Sequence, residues 1–240
     1  LIPCIVLLPL VLKSIKLIQK VPKRYMLGMF VGCGLPYLLV AGTGMQLAPV
    51  SDGSALIPGT LPLFVSGIAV VLFRQPLSSH RILGLMLVLG GIAAFLFQGF
   101  GHSGNGLLTG YVLFLLGSMM WATFTICARV SNLNPLVAAG VISLLSTLGL
   151  ITLIATGMLK SHLIVTSVAN WPWKELAGHI TLQGIGAGLV AAFTYLHAIS
   201  VLGAERTAAF GAATPAIATL LAIPVFNEQP TLLGWFALIM

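Results

Sequence analysis

Apolar and polar positions in this chain are segregated rather than alternating. Apolar runs of about twenty residues are joined by short connections that hold nearly all the charges. The hydrocarbon core of a bilayer is ~30 Å thick, so a helix needs roughly 20 mostly apolar residues to cross it. Membrane-spanning strands would alternate between a lipid and a lumen face, and these runs do not. A helix also closes its own backbone hydrogen bonds, which lipid cannot do. The pattern predicts seven complete spans, at Tyr25–Ala48, Ala55–Phe73, Ile82–Phe100, Leu107–Ala128, Leu136–Leu159, Ile180–Leu202 and Ala208–Phe226. Partial runs lie at Leu1–Leu12 and Leu232–Met240. Both ends of the chain fall inside apolar runs and read as cut. The first run is too short to span and has no small-residue cleavage site before Lys13, so it reads as the second half of a spanning helix and not as a signal peptide.

The two halves of the pattern superpose at an offset of 153 residues, which places Pro62 over Pro215. Asp52 then falls on Glu205, Ser54 on Thr207, Ala55 on Ala208, Phe73 on Phe226 and Gln75 on Glu228. Each half reads as an acid, a hydroxyl-Ala pair, a span kinked at a Thr and Pro (Thr60 and Pro62; Thr214 and Pro215), a polar turn and another span. Five spans separate equivalent helices. Five is odd, so the halves have opposite orientations, and inverted repeats of this kind are a frequent build of secondary transporters. The expected repeats are residues 1–101, lacking an amino-terminal helix, and 107–240, with its last helix cut short. The intact bundle would have ten spans and both ends in the cytoplasm; about eight or nine are present here.

Charge then orients the bundle. Of the 11 Lys and Arg, nine lie in alternate connections (Lys13, Lys16, Lys20, Lys23, Arg24, Arg74, Arg81, Arg129, Arg206), and Lys160 and Lys174 lie in the others. The basic set marks the cytoplasmic side. This accounts for the formal charge of +7 without nucleic acid, for which no continuous basic face exists. Composition excludes a soluble domain: 58% of residues are apolar and 6% charged, against about 25% charged in soluble folds. Cys4, Cys33 and Cys127 have no metal-site or disulfide-framework spacing. Trp171-Pro172-Trp173, in the longest exterior connection, reads as a headgroup-level anchor, with a substrate lid as the other reading.

The stretches SALIPGTLPLFVSGIAVVLFRQPLSSHRILGLMLVLGG and AERTAAFGAATPAIATLLAIPVFNEQPTLLGWFALIM, with SMMWATFTICARV at the start of the second half, resemble the drug/metabolite transporter superfamily in its EamA-type ten-helix branch. The second stretch carries the family's small-residue run, the mid-helix Pro215 and the acidic turn at Glu228, Pro230 and Thr231. The first departs from it, with Gln75 in place of the acid and Arg74 before it. The resemblance implies two inverted five-helix repeats around a central cavity. It also implies transport, often export, of amino acids, other metabolites or drugs across the cytoplasmic (inner) membrane.

Polar groups inside a span are costly and usually face a bundle interior. The four acids, Asp52, Glu175, Glu205 and Glu228, read as lying at or near loops, so no buried acid relay is visible. His197 stands well inside a span and exchanges a proton near neutral pH, or is a neutral imidazole bonded to a neighbour. Thr194, three residues before it, shares its face; Tyr195 does not. Trp121 and Thr125, four apart, line one face where an aromatic ring stacks on a planar or cationic substrate, or packs on a neighbour. Tyr37 is the first-half candidate, with Gln46 reading as solvated. Thr60 and Thr214 either bind substrate or repair the kinks at Pro62 and Pro215, each of which frees a carbonyl. Gly28-x-x-x-Gly32 and Gly184-x-x-x-Gly188 permit close helix approach, within the fold or in a homodimer. Gly101–Gly106 is glycine-rich but lacks the Lys-Ser/Thr ending of a phosphate loop.

The sequence therefore predicts an all-α membrane transporter for a small-molecule substrate, with no metal or cofactor and a proton or counter-substrate as driver. A lipid-directed membrane enzyme is the alternative, and its clustered acid/base groups are missing from the sequence. A non-transporting membrane subunit is the other.

Overall fold

The computed structural model describes residues 1–101, 106–159, 166–211, 213, 214, 216, 217 and 220 and, for residues 51, 94–96 and 98–101, the backbone or its helical state alone. The kink at Pro215, the turn at Glu228, Pro230 and Thr231, and the last apolar run lie outside the described residues. Among those described, every regular element is helical. In order they are α1 (Ile2–Lys13), α2 (Ile15–Ile18), α3 (Lys23–Cys33), α4 (Leu35–Leu47), α5 (Val50–Phe73), α6 (Ser79–Gly101), α7 (Leu107–Ser131) and α8 (Pro135–Ala155). A 3-10 turn (Val168–Asn170), α9 (Trp173–Gly178), a π-helix (His179–Ala191), α10 (Ala192–Leu202) and α11 (Ala204–Gly211) follow. Among the described residues, five helical stretches are long and apolar enough to cross a membrane: Lys23–Leu47, Asp52–Phe73, Leu107–Ser131, Pro135–Ala155 and Trp173–Leu202. The chain is a multi-pass, all-α membrane protein.

Helix α7 is the hub, with α3, α4, α5, α6, α10 and α11 packed around it. In lipid, helices associate through close packing and not through water exclusion, so small residues at crossings matter. Gly32 lets α3 lie against the Met120 carbonyl and Phe124 of α7. Gly44 and Gly53 receive the ring of Phe114, which is fully buried. Gly28 faces Cys127, and Gly184 and Gly188 of the π-helix face Ile2 and Pro3 of α1. Both glycine pairs therefore seat helices within this chain. Local chemistry sets the turn from α7 to α8: Asn132 takes a left-handed conformation (φ 50°), and Asn134 caps α8 by accepting from the Leu136 N–H at 2.9 Å. Pro135 stands in the first turn, where its missing N–H leaves no bond unmade.

Two predicted spans differ in winding from the uniform α-helices expected. Tyr25–Ala48 is broken at Gly34, whose ψ of −154° is extended, so α3 and α4 are separate helices in one crossing. Pro36, in the first turn of α4, lacks an N–H, and the Leu35 N–H instead donates to Ser146 Oγ of α8 at 3.0 Å. Such a break survives in a membrane because a neighbouring side chain satisfies the exposed backbone group. Ile180–Leu202 opens within a thirteen-residue π-helix, His179–Ala191, before turning α at Ala192; no feature of its sequence explains that winding.

The connections rich in Lys and Arg gather at one end. Arg81 at the start of α6 reaches Glu205 at the start of α11, and Arg129 at the end of α7 reaches the Ser200 carbonyl near the end of α10. Val11, near the Lys13 end of α1, packs with Val137 and Val141 at the start of α8. At the other end Tyr111 at the start of α7 donates to Asp52 Oδ2 at the start of α5, at 2.8 Å. Asp52 and Glu205 each occupy the first turn of their helix, where an anion complements the helix dipole. Helices α5 and α11 thus start at opposite ends of the bundle.

Candidate functional site

Three core clusters meet at one residue. Trp121 packs against the cluster of Met29, Phe124 and Leu196, against that of Leu56, Ile57 and Phe114, and against that of Leu61, Val65 and Ala122. Its indole lies edge-on to Tyr37 of α4 (centroids 5.9 Å, 61°) and tilted to Tyr195 of α10 (5.5 Å, 51°). Phe124 stacks on Tyr195 at 6.1 Å. Aromatic rings from both halves of the chain thus converge in mid-span, at separations typical of favourable pairs.

One face of α7 supplies the polar groups. Ser118, Trp121 and Thr125 follow at i, i+3 and i+7, which puts them in one stripe. The Thr125 hydroxyl donates to the Trp121 carbonyl at 2.8 Å and lies 3.0 Å from the Tyr195 hydroxyl. A threonine hydroxyl has one proton. It is used on the carbonyl, so Tyr195 donates to Thr125. Ser118 Oγ and Trp121 Nε1 are buried and have no hydrogen-bond partner among the described residues. A buried polar group without a partner costs about 1–3 kcal/mol. Both stand on one stripe of α7, among the aromatic faces. No group of three or more His, Cys, Asp or Glu able to hold a metal ion occurs among the described residues.

Of the sequence candidates, the structure brings Tyr37, Trp121 and Thr125 together. Thr60 is buried one helix away on α5, its hydroxyl donating to the Leu56 carbonyl at 2.7 Å. That is the carbonyl one turn before Thr60 and not the Pro58 carbonyl that Pro62 leaves free. Pro62 lies inside α5 together with Pro58. Thr194 is exposed and bonds back to the Val190 carbonyl, and His197 is exposed beside Phe193 (5.7 Å). Their shared face is the one turned away from Trp121, and Tyr195 occupies the inner face. Thr214 is exposed. Ser118 and Tyr195 complete the site but are not among the residues singled out from sequence. The signal for Ser118 was its spacing from Trp121 and Thr125.

A cavity of about 450 Å³ opens between α5, α7, α10 and α11 at the basic end. Val65, Ala69 and Ile126 line its depth; Gln75, Arg129, Glu205 and Arg206 line its mouth. Val65 and Ile126 also belong to the cluster that packs against Trp121 and Tyr195, so that apolar layer separates the cavity from the aromatic site. Glu205, which the sequence places by a loop, is half-buried here and paired with Arg81.

A family model described as "EamA-like transporter family" matches residues 108–240. No curated protein matches the sequence. A solved structure described only as "Crystal structure of protein" superposes with a TM-score of 0.67 at 17% identity, over 91% of this chain and 72% of the other. That likeness is one of fold.

Proposed function

The chain belongs to the EamA-like transporter family, and from that premise we propose that it is a secondary transporter, an exporter of small metabolites such as amino acids or drugs. The observation that carries this reading is Trp121, a half-buried indole held between tyrosines of both halves, with its N–H and the Ser118 hydroxyl unpartnered among the described residues. A solute with a planar face and a hydrogen-bond acceptor would stack on the indole and take both donors. The matched stretch 108–240 supports reading residues 107–240 as one repeat, with residues 1–101 as its inverted partner. The nine basic residues of the alternate connections support placing that end of the bundle in the cytoplasm and the protein in the cytoplasmic membrane. Both ends of the intact protein would then be cytoplasmic. The driver in this reading is a proton or a counter-substrate, and Thr194, His197 and Thr214 remain candidates for contact with either on a second face. A second copy of the chain as partner stands as a separate proposal.

The test is efflux from cells or proteoliposomes carrying the full-length protein, against a panel of labelled metabolites. At least one solute should move faster than through the Trp121→Ala protein, at equal amounts in the membrane. Equal rates for every solute would remove Trp121 from the path. A lipid product appearing with no solute flux would make the protein an enzyme.

A further inference from the structure

The cavity at the basic end contains a carboxylate that the closed arrangement leaves half satisfied. Glu205 Oε2 accepts from Arg81 Nη1 at 2.6 Å, and Arg81 Nη2 donates to Ser66 Oγ at 2.9 Å. The clasp joins α6 and α5 of the first half to α11 of the second. The other carboxylate oxygen, Oε1, is buried and has no hydrogen-bond partner among the described residues. Both side chains of the pair are partly exposed (27% and 31%), but Oε1 itself is shut off from water in this arrangement. Beside it lies a cavity of about 450 Å³, within the range of roughly 300–1,000 Å³ that small-molecule sites occupy.

We propose that this cavity is an entry site for solutes bearing a protonated amine, which compete with Arg81 for Glu205 and so open the basic end of the bundle. The chemistry favours the exchange. An ammonium carries three donors on one atom and can satisfy both carboxylate oxygens, whereas Arg81 divides its donors between Glu205 and Ser66. The apolar depth at Val65, Ala69 and Ile126 takes the organic part of the solute and leaves its amine at the mouth beside Glu205, where Arg129 and Arg206 also stand. With Arg81 displaced, α6 and α11 lose their ionic tie, and the Leu61–Val65–Ala122–Ile126 layer is the barrier left before Trp121. The proposal rests on the transporter reading for its purpose, but the site is defined without it.

The probes are 2-phenylethylamine and phenylacetate, similar in size and opposite in charge, titrated calorimetrically into the purified full-length protein. The amine should bind and the acid should not. Arg81→Gln should tighten the amine about ten-fold if the clasp is open a tenth of the time, and Glu205→Gln should abolish its binding. Should Glu205→Gln fail to fold, Arg81→Lys carries the test, because a weaker competitor must also tighten the amine. Equal binding of both probes, or an amine affinity indifferent to Arg81, overturns the site. Flux of the same amine in proteoliposomes separates the two readings. Binding through Glu205 without flux removes the transport role and keeps the site. Flux with affinity independent of Glu205 keeps the transport role and removes the site.

Discussion

At the scale of single residues, the site is a stripe on α7 whose hydrogen-bond accounting is incomplete. Thr125 is closed by the Trp121 carbonyl and Tyr195, while Ser118 and the Trp121 N–H, in the same stripe, have no partner among the described residues. Removing an open donor should weaken solute binding without harming the fold, because no bond inside the described chain is lost. Ser118→Ala is therefore expected to raise the KM for the transported solute about two- to twelve-fold, the worth of one hydrogen bond of 0.5–1.5 kcal/mol, with unchanged melting temperature. A large fall in melting temperature would show that Ser118 is structural. Trp121 and Thr125 were legible in the sequence because an aromatic and a hydroxyl four apart within a span share a face. Tyr195 was not. Helical spacing separates it from His197 but does not say which of the two faces inward, and that depends on where α7 lies.

At the scale of elements, hydropathy located five of the seven expected crossings among the described residues, because lipid demands long apolar runs whatever their winding; Ile82–Phe100 begins as the shorter apolar helix Ser79–Ala93, and most of Ala208–Phe226 lies outside the described residues. Hydropathy could not show the break at Gly34 or the π-helix over His179–Ala191, since neither changes apolar length. The break depends on a partner 111 residues away: Ser146 Oγ accepts from the Leu35 N–H. Ser146→Ala leaves that N–H without its partner and should cost about 1–3 kcal/mol, read as a lower midpoint of thermal unfolding in detergent. An unchanged midpoint would mean that the break needs no such support. Small residues give a sharper contrast. A side chain at Gly32 would run into the Met120 carbonyl of α7, a backbone atom that cannot swing aside, whereas nothing lies within 4 Å of a Cβ at Gly42. Gly32→Val should yield no folded protein by size-exclusion chromatography, and Gly42→Ala should yield normal amounts. Similar behaviour of the two would contradict the packing of α3 on α7.

At the scale of the whole molecule, the account is of two opposed halves around a path. The offset of 153 residues pairs two acids, and each stands in the first turn of a helix, Asp52 in α5 and Glu205 in α11. Their partners were not readable: Tyr111 and Arg81 lie 59 and 124 residues away, and each tie crosses from one half to the other. Reporter tags should place the Lys13–Arg24 and Glu205–Arg206 connections in one compartment and the Asp52 connection in the other; any other distribution contradicts the opposed halves. The path itself is tested by a single reactive thiol. With Cys4, Cys33 and Cys127 replaced, the Ser118→Cys protein should be alkylated by a water-soluble, membrane-impermeant thiol reagent and protected by the transported solute. A thiol at that position untouched by the reagent from both sides of the membrane, in protein that still transports, would show that solute does not pass Trp121.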